Sequence, residues 1–186
     1  DQVYKLSLLP SGIVTGTLSI IGNGVALNIP LLVKEIGDLV SRGVPKPHIL
    51  VSNRAQIVMP YHIYFDQCEE ERRGKKAFGS TKSGIAPFYS DKYAKIGFQV
   101  ADLYADEASL KEKIEGGLVQ KNVLLTHLYH KESLNVEDIY RTLCEYKEMI
   151  DPYVCDTAEY LHQALKEGKN ILLAGQLGTL KDPDFG

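Results

Sequence analysis

Leu18-Ser19-Ile20-Ile21-Gly22-Asn23-Gly24-Val25-Ala26-Leu27-Asn28-Ile29-Pro30 runs from an apolar strand, through a tight turn, into a capped helix. Leu18 to Ile21 predicts a strand. The Gly22-Asn23-Gly24 that follows is turn chemistry, because these residues tolerate positive φ. Asn28 has the side chain of an N-cap, and Pro30 stands in the first turn, where its missing N–H costs nothing. Ile29, Leu32, Val33, Ile36 and Val40 then recur at helical spacing, and Gly43 is a stop signal.

Outward from this stretch the alternation continues. Val3 to Leu9 and His48 to Ser52 read as strands. Tyr61 to Arg73 reads as a helix, with Glu69, Glu70 and Glu71 poorly placed for its dipole and Arg72 and Arg73 well placed. Gly74 to Gly97 is rich in Gly, Ser and Lys and carries no assigned element. Leu110 to Leu128 is helical but interrupted at Gly116-Gly117. Asn135 caps a helix with Val136, Ile139, Tyr140, Leu143 and Met149 or Ile150 on one face. Asp156 with Glu159 starts another, carrying Tyr160, Leu161 and Leu165 and stopping at Gly168. Asn170 to Ala174 reads as a last strand, and Gly175 to Gly186 as a glycine-rich loop. No internal repeat is present. The expected class is α/β, a mostly parallel central sheet flanked by helices. The chain starts without Met, directly in a predicted strand, and ends in a glycine loop where α/β folds place ligand chemistry. The expectation is a single piece, 1–186, of something larger.

The 186 residues are 44% apolar and 24% charged, enough for one domain with a real core. A net charge of -3 argues against duplex-DNA binding, and the 11 tyrosines are too scattered for a nucleic-acid stacking platform. Cys68, Cys144 and Cys155 form no CxxC pair, so neither a disulfide scaffold nor a zinc ribbon is indicated, and reduced cysteines in a cytoplasmic protein are expected. Leu6 to Val33 lacks charge over 28 positions, but 13 of them are Gly, Pro, Ser, Thr or Asn. Buried strands joined by turns fit better than a membrane helix, and no basic segment precedes it as in a signal peptide.

Gly79-Ser80-Thr81-Lys82-Ser83-Gly84 is the strongest ligand candidate. Glycines let backbone approach an anion, and hydroxyls and amides donate to phosphate oxygens. Arg72, Arg73, Lys75, Lys76, Lys82, Lys92 and Lys95 face one acid, Asp91, giving a local +6. Such a patch suits a polyanionic small ligand, and a solvated surface loop explains it equally well. It is not a Walker A loop, since Ile85-Ala86 follow Gly84. Gly175-Gln176-Leu177-Gly178-Thr179 follows a predicted strand and has the composition of a phosphate loop or a plain turn. Asp182 and Asp184 around Pro183 read as turn formers before Mg²⁺ ligands. Asp184-Phe185-Gly186 lacks the other kinase motifs. His127-x-x-His130 with Glu132 reads as a helix-surface pair. His62, after Pro60-Tyr61, reads as structural.

Several motifs in register carry a resemblance. Leu9-Pro10-Ser11-Gly12-Ile13, Ile20-Ile21-Gly22-Asn23-Gly24-Val25, Ser52-Asn53-Arg54-Ala55, Pro60-Tyr61-His62, Gly79 through Lys95, and Gly178-Thr179-Leu180 with Asp182-x-Asp184-x-Gly186 together closely resemble adenylosuccinate synthetase, end to end. The resemblance implies a P-loop-GTPase-like parent fold, here incomplete. It also implies ligation of IMP to L-aspartate with GTP hydrolysis and Mg²⁺, giving adenylosuccinate in AMP biosynthesis. A family Asp deprotonates the purine and its 6-oxygen takes the γ-phosphoryl group of GTP, helped by a His acid. Aspartate then displaces the phosphorylated oxygen. The resemblance places that Asp, that His and the N-terminal glycine-rich loop before Asp1, and the guanine- and aspartate-binding parts after Gly186. No turnover is expected from these 186 residues alone, and the Mg²⁺ ligands are expected outside them.

Residue by residue, the resemblance makes Thr81 an IMP-phosphate contact with Ser80 beside it. Gly84-Ile85-Ala86-Pro87-Phe88-Tyr89-Ser90-Asp91-Lys92 matches the family signature, and Lys92 its catalytic lysine. Lys95 replaces an arginine that reaches the partner's IMP across a homodimer, and Ala86 also departs from the pattern. Lysine keeps the charge and loses the bidentate fork, part of an interaction worth about 1.5–3 kcal/mol. At the last loop the family's nucleotide-contacting glutamine aligns with Leu177, so a local shift would give Gln176 that role. The alternatives are a non-catalytic nucleotide-binding or dimerisation module, and an unrelated phosphate-binding α/β enzyme. No nucleic acid and no membrane is expected as a partner.

Overall fold

The computed structural model describes residues 3–76 and 79–175. The predicted strand–turn–helix is present. β1 (Ser19–Ile21) leads into a turn closed by Val25 N–H donating to the Gly22 carbonyl, then β2 (Ala26–Leu27) and α1 (Ile29–Ser41). Asn28 caps α1 by accepting from Leu31 N–H at 3.1 Å. The chain returns as β3 (Ile49–Ser52) and β4 (Gln56–Ile57) and enters α2 (Pro60–Arg73). Then come α3 (Ile85–Tyr93), α4 (Glu107–His127), α5 (Val136–Ile150), β5 (Val154–Cys155) and α6 (Thr157–Lys166).

The described strands pair in parallel, as βα crossovers require. One sheet has the order β1-β3-β5, with Ser19 opposite Ile49 and Val51 opposite Val154. β2 and β4 form a second pair, Leu27 opposite Ile57. Residues 98–101 run beside β4, where Ile57 N–H donates to the Phe98 carbonyl at 2.8 Å. α1 and α5 pack together, α4 lies on α5, and α3 lies on α2. Ile21, Leu27, Leu32, Val51, Leu125, Leu143 and Ile150 are all but sealed from solvent in one continuous core.

Five expectations need correction. Val3–Leu9 is not a strand. The N–H groups of Ser7, Leu8 and Leu9 donate instead to the buried Glu35 carboxylate, at 2.5, 3.0 and 3.1 Å. Their hydrogen bonds are thus satisfied by a side chain of α1 rather than by a ladder. Glu35 and Leu39 join the buried face of α1, while Val40 is 45% exposed. Gly116-Gly117 does not interrupt α4, because Ile114, Leu118 and Leu125 on both sides are buried, and packing outweighs the roughly 1 kcal/mol that each glycine costs. The Gly/Ser/Lys-rich stretch contains α3, whose Phe88 is 1% exposed. Asn170–Ala174 forms no strand, and Leu172 and Leu173 are 92% and 87% exposed, because no described strand flanks them. Of the alternatives on α5, Ile150 is buried and Met149 exposed.

Candidate functional site

The glycine–hydroxyl loop hangs from α2. Asp66, one turn after His62, accepts from Ser80 Oγ at 2.8 Å and from Gly84 N–H at 2.9 Å. Ser80 Oγ in turn accepts from Lys82 N–H, and Glu70 accepts from Gly79 N–H. Ser80 therefore shapes the loop, while Thr81 and Lys82 are exposed and Thr81 Oγ1 sits 2.6 Å from Ser83 Oγ. Gly79, Lys82 and Gly84 have left-handed φ of 71°, 54° and 77°. At Gly84 glycine is required twice over, because a Cβ there would also lie 2.7 Å from the backbone of His62 and Ile63.

Behind the loop, α3 is fastened to two helices through Asp91. His62 Nε2 lies 2.9 Å from Asp91 Oδ2, and Lys121 Nζ lies 3.0 Å from Oδ1 and 2.8 Å from Oδ2. The His62, Asp91 and Lys121 side chains are 1%, 11% and 9% exposed. Met59 N–H donates to His62 Nδ1 at 3.0 Å, so the proton belongs on Nε2 and the imidazole donates to Asp91 while neutral. Burial pushes the His62 pKa below its ordinary value, with the Asp91 hydrogen bond working the other way. Burial raises that of Asp91, but the bonds from His62 and Lys121 outweigh it and hold the carboxyl below its usual range. Lys121 Nζ also lies 4.9 Å from the centroid of the Tyr61 ring, whose buried hydroxyl has no hydrogen-bond partner among the described residues. Burial drives the Tyr61 phenol far above its normal pKa.

Asp91 and Lys92 are neighbours in sequence with opposite fates. The carboxylate turns inward. Lys92 is half-buried, with Nζ 5.7 Å from the Tyr89 ring centroid. Lys95 follows the helix, exposed, with a left-handed φ of 61°. Among the described residues Lys82, Lys92 and Lys95 form no ion pair, whereas Arg72 and Arg73 are both bound to Glu69 at 2.8 Å. Among the described residues, then, Arg72 and Arg73 have their charge matched by Glu69, while Lys82, Lys92 and Lys95 do not meet an acid. A concavity of about 360 Å³ lies elsewhere, lined by Tyr4, Glu35 and Arg42 among others, while Thr81, Lys82 and Lys95 are exposed.

His127 ends α4, and exposed His130 has a left-handed φ of 54°, so the two do not share a helix face. Among the described residues no group of three or more His, Cys, Asp or Glu side chains is placed to hold a metal ion. Gln176, Leu177, Gly178, Thr179, Asp182 and Asp184 lie outside the described residues. Sequence reasoning missed Asp66 and Lys121. Lys121 was legible in principle: Leu110, Ile114, Leu118 and Leu125 mark one face of α4, and Lys121 is the charge at its fourth position.

A profile of the adenylosuccinate synthetases matches residues 1–186. The chain belongs to the adenylosuccinate synthetase family. The adenylosuccinate synthetase of Bacillus cytotoxicus is 43% identical over 184 residues, 98% of this chain and 43% of that protein. The one from Geobacillus kaustophilus is 42% identical over the whole chain. A structure of fully ligated adenylosuccinate synthetase from Plasmodium falciparum matches with a TM-score of 0.75 at 26% identity, over 98% of this chain and 42% of that one. The chain therefore spans under half the length of the synthetases it matches, and its α/β architecture with short parallel sheets is that of an incomplete piece of the family fold.

Proposed function

We propose that this chain is the central segment of an adenylosuccinate synthetase, a GTP-dependent ligase that joins IMP and L-aspartate in AMP biosynthesis. The observation that carries the reading is the family match along all 186 residues, together with a signature helix, α3, built onto α2 and α4 with its Lys92 in no ion pair among the described residues. In this reading the enzyme is a cytoplasmic homodimer. Thr81 donates its hydroxyl to the IMP phosphate, and Ser80 supports that contact by holding the loop. Lys92 faces the reacting nucleotide. Lys95 supplies charge to the partner subunit's IMP, and Gln176 reads the nucleotide from the following loop. Electrostatic preorganisation of this kind is effective because the lysines need no reorganisation when phosphate charge develops. The resemblance also implies Mg²⁺. The described residues do not by themselves form a site for it, and no step here is routed through it. Among the described residues no helix is long and apolar enough to cross a membrane.

The test uses the complete polypeptide that carries this segment. Purified enzyme forms adenylosuccinate from IMP, aspartate and GTP. Thr81→Ala raises the KM for IMP at least about tenfold, the value of one charge-assisted hydrogen bond. Saturable IMP binding without product would instead establish the non-catalytic module. Unchanged IMP affinity in Thr81→Ala would remove the loop from the nucleotide site.

A further inference from the structure

We propose that His62 and Lys121 are positioning residues of the nucleotide site: by gripping Asp91 from α2 and α4, they fix the rotation of α3 and with it the point at which Lys92 presents its ammonium. This rests on the reading of Lys92 given above.

Three observations carry it. The cluster is costly for a core. Three polar side chains no more than 11% exposed replace groups that apolar residues would fill with equal or better stability. What such a cluster supplies in return is a specified geometry. The grip is also directional. Asp91 receives two donors from two different helices, 29 and 30 residues away in opposite directions along the chain. The start of α3 is held separately through Gly84 N–H and Asp66. A nine-residue helix fixed at its first turn and again at Asp91 can neither roll nor slide without breaking a buried hydrogen bond. Finally, the cluster settles the charge. Asp91 is the one acid between Arg72 and Lys95. Turned inward and matched by Lys121, it leaves the neighbouring Lys92 without an acidic partner among the described residues. His62 stays neutral and adds no charge, so the cluster sums to zero.

The experiment compares variants of the complete enzyme by thermal unfolding, kcat, and the KM values for IMP and GTP. Asp91→Asn with Lys121→Met removes both buried charges together, so neither is left uncompensated. This double variant should melt within about 4 °C of the parent, with kcat lowered about tenfold or more because Lys92 is displaced, and with KM for GTP unchanged. His62→Gln places an amide N–H near the former Nε2 position and should retain kcat within about threefold, while His62→Leu should lose it as the double variant does. A folded double variant with undiminished kcat would overturn the proposal, as would equal losses in His62→Gln and His62→Leu. Failure of both the double variant and His62→Gln to fold would make the cluster a folding element only, and would also overturn it. Lys92→Ala serves as the separate control. If it leaves activity intact, the nucleotide reading itself fails, whatever the His62 and Lys121 variants do.

Discussion

Gly84 concentrates two constraints in one residue. Its φ of 77° is the left-handed region, and its missing Cβ leaves room for the His62 and Ile63 backbone. Gly84→Ala adds backbone strain and a clash with main chain that cannot swing aside. A loss on the order of 2–4 kcal/mol is expected in urea unfolding, and a change under 0.5 kcal/mol would refute the close approach. His62 makes the second prediction at this scale. Its folded pKa is lowered by burial, so the unfolded chain binds a proton first on acidification. Its contribution is fully present above the unfolded value of about 6.5 and is lost as pH falls from there through the folded pKa. Unfolding free energy measured from pH 8 to pH 5 should drop for the wild type and drop less for His62→Gln. Parallel curves would sink the assignment. The sequence placed His62 at a helix start and favoured a structural role. Its partners, dozens of residues away, were not legible, because no periodicity relates positions on three different helices.

Elements with both a cap and a spaced apolar face were readable. Asn28, Asn135 and Asp156 each accept from backbone N–H at the start of the helix they were expected to cap. The segments that misled lacked a local cause for their structure. Val3–Leu9 has strand composition, but Glu35 takes its amides. α3 begins at a left-handed glycine rather than a polar cap, so its start looked like loop. α4 gives the test at this scale. Gly116 is interior to the helix, with nothing within 4 Å of an added Cβ and no positive φ. Gly116→Ala should therefore stabilise by about 0.5–1 kcal/mol, read as a raised urea midpoint at unchanged slope. Destabilisation there would mean that α4 does break at the glycine pair, as its sequence suggests.

At the scale of the molecule, the chain spans under half the length of the synthetases it matches, and the proposed site would draw on more than this segment. Family and fold class were legible in the sequence because several motifs agree in register. The pairing of Arg72 and Arg73 within the basic run was not, since it depends on Glu69 reaching both. The proposed chemistry needs a proton acceptor on the purine and an acid at its oxygen. The described histidine nearest the loop, His62, is sealed and bonded at both ring nitrogens, and Asp91 is committed to Lys121. Neither is free to move a proton at a substrate. The 186-residue chain alone is thus expected to form no adenylosuccinate. Exposed Leu172 and Leu173 add a physical reason for it to self-associate, since an unpaired apolar run of strand-forming residues is a template for pairing. Sedimentation of the chain should show mass rising with concentration, reduced by Leu172→Lys with Leu173→Lys. Product formation above background by the purified chain would show that the acid and base lie within these 186 residues, and would overturn the division of labour proposed here.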